Sequence, residues 1–235
     1  MEPETLAVIM PVYNEEGAIG PVISKWTNKL SELNINFKIH AYNDGSKDKT
    51  LSILSALSEN NKNLIVHDKA NSGHGPTILL GYRENIDSTW IFQIDSDDEM
   101  SPESFSKLWE NRANYDFLIG ERVRFNQPIV RKFLSSLSRI TVWLLYGWRV
   151  YDVNSPYRLM RSKIFNNIFN TLSLEIFAPN VIIAGFASLN KLNIYKINIE
   201  QTPRKTGIVS LNKFKLLKAA LKSFNQTIIW RFKIS

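Results

Sequence analysis

The sequence contains no cysteine, which excludes a disulfide framework, a thiolate zinc site and a cysteine nucleophile. That content fits a reducing compartment. It also lacks any uncharged apolar run of the ~18 residues that a membrane-spanning helix needs. Glu2 and Glu4 precede an apolar stretch broken at Pro11, which is not the pattern of a secretory leader. A cytoplasmic chain that does not cross a membrane is expected. No linker, low-complexity tract or internal repeat divides the 235 residues, so a single domain over 1–235 is expected, and its 44% hydrophobic content suffices for a sizeable core. Acidic residues are scarce in one half only. Residues 120–235 hold 4 Asp and Glu against 19 Lys and Arg, whereas residues 1–119 hold 18 against 10. The net charge of +7 hides that asymmetry. An acidic front half suits a divalent cation; a basic back half attracts phosphates, nucleic acid or an anionic bilayer surface.

Apolar strand-like runs alternate with helix-like segments through the first half. Thr5–Met10, Phe37–Tyr42, Leu64–His67 and Trp90–Ile94 read as strands, each followed by a helix: Glu15–Leu33, Lys47–Ser58, Thr77–Asn85 and Pro102–Asn111. Phe117–Ile119 reads as a fifth strand. This order predicts an α/β fold, a mostly parallel sheet with helices on both faces, because right-handed crossovers must pack back onto the sheet. In such sheets ligands bind beyond the carboxyl ends of the strands.

The most telling stretch, Trp90–Met100, is an apolar run ending in Asp95, Asp97, Asp98 and Glu99. If the chain stays extended, Asp95, Asp97 and Glu99 share one face and Asp98 takes the other. Crowded carboxylates repel without a cation. An oxygen-rich set suits Mg²⁺ or Mn²⁺, and Mg²⁺ usually completes its shell with water and substrate phosphates. A metal-bound diphosphate is the implied ligand; the plain alternative is a solvated acidic turn before the helix begun by Ser101, Pro102 and Glu103.

The other strand ends carry small polar motifs. PVYNEEGAI (Pro11–Ile19) places Asn14 as a cap for the first helix. NDGSKDKT (Asn43–Thr50) offers Gly45 for a tight turn, Ser46 as a cap, and Asp44 as an acceptor in the crevice. KANSGHGPTILLGY (Lys69–Tyr82) has two glycines that let backbone approach a ligand, but it is neither a Walker loop nor a GxGxxG fingerprint. Of the histidines, His40 and His67 read as packed strand residues, and His74, between the two glycines, is the one able to reach a donor phosphate.

Taken in order, PVYNEE, NDGS.D.T, N.G.G....G and the DxD after the fourth strand resemble the family 2 glycosyltransferases of the GT-A fold. The resemblance implies a GT-A, Rossmann-like domain with C-terminal amphipathic helices, an inverting reaction, and a nucleotide-diphosphate sugar donor. Carried over, Pro11, Tyr13, Glu15 and Asp44 contact the nucleoside. Lys69, Gly75, Asp95 and Ser96 complete the donor site, and Asp95, Asp97 and Glu99 hold the metal. VYDVNSPYRLMRS (Val150–Ser162), RKTGIVS (Arg204–Ser210) and GER (Gly120–Arg122) resemble segments of dolichol-phosphate mannosyltransferases and related polyprenyl-phosphate glycosyltransferases. There Arg122, Ser155, Arg158, Arg204 and Ser210 would bind the acceptor phosphate. Asn43 and Asn180 stand where relatives often carry a carboxylate, and Pro156 where they carry glycine.

An anionic phosphate acceptor needs orienting cations rather than a general base, and arginine suits bidentate phosphate binding. Catalytic roles therefore fall on Asp97, Arg122 and Arg158, with Asp98 as the base if the acceptor is a saccharide hydroxyl. Two helical stretches support a membrane surface. Val130–Trp148 becomes apolar nearly all round from Ile140, and Phe214, Leu217, Leu221, Phe224, Ile228 and Phe232 form one stripe flanked by lysines and arginines. The expected half-division is 1–119 for donor and metal, and 120–235 for acceptor and peripheral attachment to the cytoplasmic face of a membrane. A nucleic-acid binder would explain the pI near 9.5 but not the acidic cluster, so no nucleic-acid partner is expected. A non-catalytic nucleotide-sugar-binding protein is the remaining alternative.

Overall fold

Seven strands, β1 (Thr5–Val12), β2 (Asn36–Asp44), β3 (Leu64–Lys69), β4 (Trp90–Gln93), β5 (Phe117–Val123), β6 (Arg158–Arg161) and β7 (Ile194–Glu200), form one sheet in the order β3-β2-β1-β4-β6-β5-β7. These are the elements of a computed structural model, which describes residues 3–123, 129–202 and 213–233. All pairs are parallel except those made by β6, which runs antiparallel to both β4 and β5. The sheet is therefore mostly parallel and lies in an α/β architecture, as the alternating sequence predicts.

Period-two alternation in β1 explains the layering. Leu6, Val8, Met10 and Val12 pack with α1 (Ile19–Glu32) and α4 (Phe105–Asn111), while Ala7 and Ile9 face α3 (His74–Glu84), α6 (Ser162–Thr171) and α7 (Pro179–Leu189). On the first face Trp26 sits 5.2 Å from Phe92 and 5.9 Å from both Phe105 and Tyr157, ring centre to ring centre. Such aromatic contacts add about 0.5–1.5 kcal/mol per pair beyond burial. Remaining helices are α2 (Thr50–Asn60), α5 (Ile129–Tyr146) and α8 (Lys213–Arg231).

Several boundaries differ from expectation for local reasons. α1 begins at Ile19 rather than Glu15, and Asn14 is no cap: it adopts a left-handed φ of 53° and bonds across to the next strand end. Ser46 likewise accepts the Asn14 N–H at 3.0 Å instead of capping a helix, and α2 starts at Thr50. α5 stops at Tyr146 because Gly147 takes φ +99°. Among the described side chains of α8, Ser223 and Thr227 are buried, with the Thr227 carbonyl accepting from the Tyr146 hydroxyl at 2.7 Å, while Phe214 and Leu217 lie outside the described side chains. The stripe residues Leu221 and Phe232 stay exposed.

His40 and His67 lie on adjacent strands, His40 Nδ1 3.1 Å from His67 Nε2. Burial, then the neighbouring His67 and Lys38, push the His40 pKa down to about 4; burial also lowers that of His67, against the pull of Glu84. The unfolded chain therefore takes up protons first. This contribution to stability is complete above about pH 6.5 and is lost as pH falls toward about 4. Urea midpoints are expected to drop between pH 7.5 and pH 5, and to drop less in His40→Gln; identical slopes in the two proteins would contradict the assignment.

Candidate active site

The carboxyl ends of β1, β2 and β4 meet at one edge of the sheet, and side-chain hydrogen bonds stitch their loops together. Asn14 Oδ1 accepts the Lys47 N–H at 2.8 Å, Thr50 Oγ1 accepts the Glu15 N–H at 2.8 Å, and Asp48 accepts the Glu16 N–H at 3.2 Å. Ser96 Oγ donates to the Pro11 carbonyl at 2.9 Å, tying the acidic segment to the end of β1. Tyr13 projects from this rim with 38% of its surface exposed, while Glu15 is buried.

Asp44 is buried and its carboxylate accepts from Lys69 Nζ and from the Ser72 and Gly73 N–H groups, both at 2.8 Å. Burial disfavours its charge, but Lys69 and the two backbone donors outweigh burial and hold its pKa below the ordinary value. Rather than standing open in the crevice, Asp44 latches the β3–α3 loop; three of about four acceptor sites on the carboxylate are used. Lys69 is spent on the same latch, reaching the Ala70 carbonyl at 2.8 Å and Ser72 Oγ at 2.7 Å. Gly75 also has a packing reason to be glycine. A Cβ there would collide with the backbone carbonyls of Ile176 and Phe177, so its approach is to its own chain rather than to a ligand. Gly75→Ala is expected to destabilise by about 1–3 kcal/mol, the usual cost of overpacking, read as a lowered urea midpoint.

The acidic segment does not continue as a strand. β4 ends at Gln93, residues 96–98 bend, and Asp98 takes a left-handed φ of 58°, so the alternation of faces expected for Asp95 through Glu99 is lost. The four carboxylates turn to different partners. Asp95 Oδ1 lies 3.7 Å from His74 Nε2 and 3.4 Å from Gln93 Nε2. Asp97 Oδ1 accepts the Glu99 N–H at 3.2 Å. Asp98 is paired with Lys25 of α1, at 2.8 and 2.7 Å from its two oxygens. Glu99 accepts from Gln201, and its carbonyl accepts the Thr202 N–H at 2.9 Å, so it anchors the end of β7 rather than joining Asp95 and Asp97.

No three His, Asp or Glu side chains among the described residues converge as a complete metal-ligand set. The expected trio is therefore not assembled by the protein alone. Asp95 and Asp97 still offer oxygen donors of the right chemistry for Mg²⁺ or Mn²⁺, ions that accept one or two carboxylates when substrate phosphates and water supply the rest.

The arginines are committed elsewhere. Arg122 forms a bidentate pair with Asp152, Nε to Oδ2 at 2.7 Å and Nη2 to Oδ1 at 2.9 Å. Burial pulls its pKa down, but the Asp152 bonds prevail and the net direction is up. Arg158 is fully buried, donating to the main-chain carbonyls of Val153, Ser155 and Asn180 at 2.6–3.2 Å, and burial pushes its pKa down to about 10. A guanidinium with no accessible surface cannot receive an incoming lipid phosphate. Ser155 is buried too, its Oγ donating to the Gly120 carbonyl at 2.5 Å. Both belong to the frame of the site. Arg204 and Ser210 lie outside the described residues.

Three residues at the site were not singled out by sequence reasoning: Lys25, Gln93 and Gln201. Gln93 had a visible signal, a polar residue inside the apolar run Trp90–Ile94. Lys25 and Gln201 had none, since their partners lie 73 and 102 residues away.

A mostly parallel sheet with one antiparallel intruder and polar loops gathered at its carboxyl edge defines a GT-A-like α/β fold. Residues 7–169 match the family model described as glycosyl transferase family 2, and the chain belongs to that family. It is 26% identical over 217 residues to undecaprenyl-phosphate 4-deoxy-4-formamido-L-arabinose transferase of Pseudomonas aeruginosa, covering 91% of this chain and 62% of that protein. It is 27% identical over 219 residues to an uncharacterized glycosyltransferase of Synechocystis, covering 92% and 67%. The chain thus spans under two thirds of the length of the Pseudomonas relative. Glucosyl-3-phosphoglycerate synthase of Mycobacterium tuberculosis, solved with Mn²⁺ and uridine-diphosphate-glucose, superposes with a TM-score of 0.72 at 15% identity, over 97% of this chain and 79% of that one. TarS of S. aureus in complex with UDP gives 0.58 at 19% identity, over 85% and 61%.

Proposed function

We propose that this protein is an inverting glycosyltransferase that moves a sugar from a nucleotide diphosphate to a polyprenyl phosphate at a membrane surface, using Mg²⁺ or Mn²⁺ held by Asp95 and Asp97. The observation that carries this reading is the acidic bend after β4, set beside the cross-stitched loops of β1 and β2 at the ligand-binding edge of the sheet. Family membership supports the reaction class and its stereochemistry. The Mycobacterium neighbour, with Mn²⁺ and a uridine-diphosphate sugar, supports the donor and the ion.

In this reading the exposed Tyr13 ring packs against the base, and the latched loop from Lys69 to Gly73 shapes the wall of the nucleotide site. When bound, the divalent ion offsets negative charge on the leaving diphosphate. His74, 3.7 Å from Asp95, stands where it can donate to a donor oxygen. An acceptor phosphate is already anionic, so the reaction calls for cations and not for a base. With Arg122 paired and Arg158 buried, Arg204 becomes the leading phosphate-binding residue. Thr202, two residues earlier in sequence, is hydrogen-bonded to the backbone of Asp98 and Glu99.

The membrane reading rests on an exposed apolar and aromatic surface. Leu144 and Trp148 are 81% and 82% exposed, and Tyr151, Leu221, Ile229 and Phe232 are exposed as well. Arg139 stacks 4.2 Å from the Tyr151 ring and Lys233 5.0 Å from that of Trp230. Aromatic rings beside basic side chains suit the headgroup level of an anionic bilayer. No helix among the described residues is long and apolar enough to cross one. Vesicles containing anionic phosphatidylglycerol are expected to carry the protein on flotation, and Leu144→Ser with Trp148→Ser to weaken this by about tenfold or more. Unchanged flotation of the double variant would remove this surface from the reading.

The function itself is tested by incubating the protein with Mn²⁺ and a panel of nucleotide sugars, with a short polyprenyl phosphate or a saccharide acceptor. Transfer to the lipid phosphate is expected. Transfer only to saccharide would replace the acceptor, and folded protein that binds donors without turnover would make it a sensor.

A further inference from the structure

We propose that Gln93 and Asn180 are positioning residues for Asp95: this buried amide pair sets the direction of the Gln93 carboxamide and, through it, the orientation of the Asp95 carboxylate. The inference rests on the reading of Asp95 as a cation ligand given above.

Gln93 is the last residue of β4 and is fully buried; Asn180, in the first turn of α7, is buried beside it. Two donors converge on Gln93 Oε1, the Tyr82 hydroxyl at 2.7 Å and Asn180 Nδ2 at 2.7 Å. An amide has one acceptor oxygen and one donor nitrogen, so placing the oxygen there directs Nε2 the other way. It meets Asp95 Oδ1 at 3.4 Å, the same oxygen that faces His74. Gln93 holds Oδ1, which leaves Oδ2 as the oxygen offered to an ion. The Asn180 amide is itself oriented, because its Oδ1 lies 3.1 Å from the same Tyr82 hydroxyl while its Nδ2 faces Gln93; Arg158 donates to the main-chain carbonyl of Asn180 at 3.0 Å and so fixes the backbone beneath it. Partners of this kind orient metal-binding side chains, and their loss typically costs about 10–100-fold in metal affinity.

The decisive substitution is Asn180→Asp, nearly isosteric but without a donor. A carboxylate at 180 would turn the Gln93 amide over, giving Nε2 to position 180 and pointing Oε1 at Asp95, oxygen against oxygen. The same carboxylate would give the buried Arg158, whose hydrogen bonds go to main-chain carbonyls, a counter-charge. Stability is therefore not expected to fall. Gln93→Met, which keeps the length of the side chain and removes its amide, is the second variant. Tyr82→Phe is the control, since it removes the hydroxyl shared by the two amide oxygens, 2.7 Å from Gln93 Oε1 and 3.1 Å from Asn180 Oδ1, but leaves the Asn180 Nδ2 donor and the Asp95 acceptor, which together direct Gln93.

Binding is read without turnover, from the electron paramagnetic resonance signal of free Mn²⁺ in titrations of the whole protein, with Mn²⁺ alone and with UDP or GDP added. Unfolding temperatures are recorded for each variant. Asn180→Asp and Gln93→Met are expected to bind Mn²⁺ about 10–100-fold more weakly, with Asn180→Asp melting no lower than wild type and Tyr82→Phe keeping wild-type affinity. Wild-type affinity in folded Asn180→Asp or Gln93→Met would overturn the positioning role and leave the cation site standing. A wild-type protein that binds no Mn²⁺ in any arm would remove the cation site, and this inference with it.

Discussion

Replacing Asp97 with asparagine is expected to lower glycosyl transfer by about 10²–10⁴-fold, the range for several kcal/mol of lost charge stabilisation, while leaving the unfolding midpoint within about 0.5 kcal/mol of wild type. The separation of the two effects follows from geometry. Asp97 is half-buried in the bend, and its Oδ1 accepts the Glu99 N–H at 3.2 Å, a bond that the amide oxygen of asparagine retains. What disappears is the negative charge that would bind a divalent ion beside Asp95. Initial rates across a Mn²⁺ series, paired with urea unfolding, measure both. Full activity in folded Asp97→Asn would remove Asp97 from the ion site and shift attention to Asp95 alone.

Arg158→Ala is expected to act on the fold before it acts on any substrate. The side chain supplies donors to three main-chain carbonyls, at Val153, Ser155 and Asn180, in a place with no accessible surface. Each buried acceptor left without a donor costs about 1–3 kcal/mol. Removing a desolvated cation returns part of that cost. A net loss of about 3 kcal/mol corresponds to a fall of roughly 6–12 °C in unfolding temperature for a domain of this size. Thermal unfolding reads it directly, and the KM for a lipid phosphate in the remaining folded protein is expected to stay near wild type. A stable Arg158→Ala whose acceptor KM alone rises would reinstate Arg158 as a phosphate ligand.

These two residues mark where reading from sequence alone reaches its limit. Asp97 sits in a motif whose meaning is local: an apolar strand, then carboxylates, at the edge where α/β sheets bind ligands. The alternation of strand and helix and the polar motifs after three strands are of the same kind, visible because each depends on neighbours within a few residues. Arg158 looked equally clear, but its role depends on burial and on carbonyl groups that only the loop before β6 and the start of α7 bring around it. The same holds for Arg122, whose partner Asp152 is 30 residues on, and for Asp44, whose partners come from the β3–α3 loop.

The amino-acid order by itself determined the α/β class, the mostly parallel sheet and the edge at which chemistry is to be sought, because hydrophobic period and turn chemistry act over short spans. Tertiary structure alone decided which charges remain available there. Lys25 reaches Asp98 and Gln201 reaches Glu99 across 73 and 102 residues, and a carboxylate clamped by a distant side chain is spoken for in a way that no local pattern encodes. Ion pairing and desolvation depend on distances in space, and those exist only once the chain has folded.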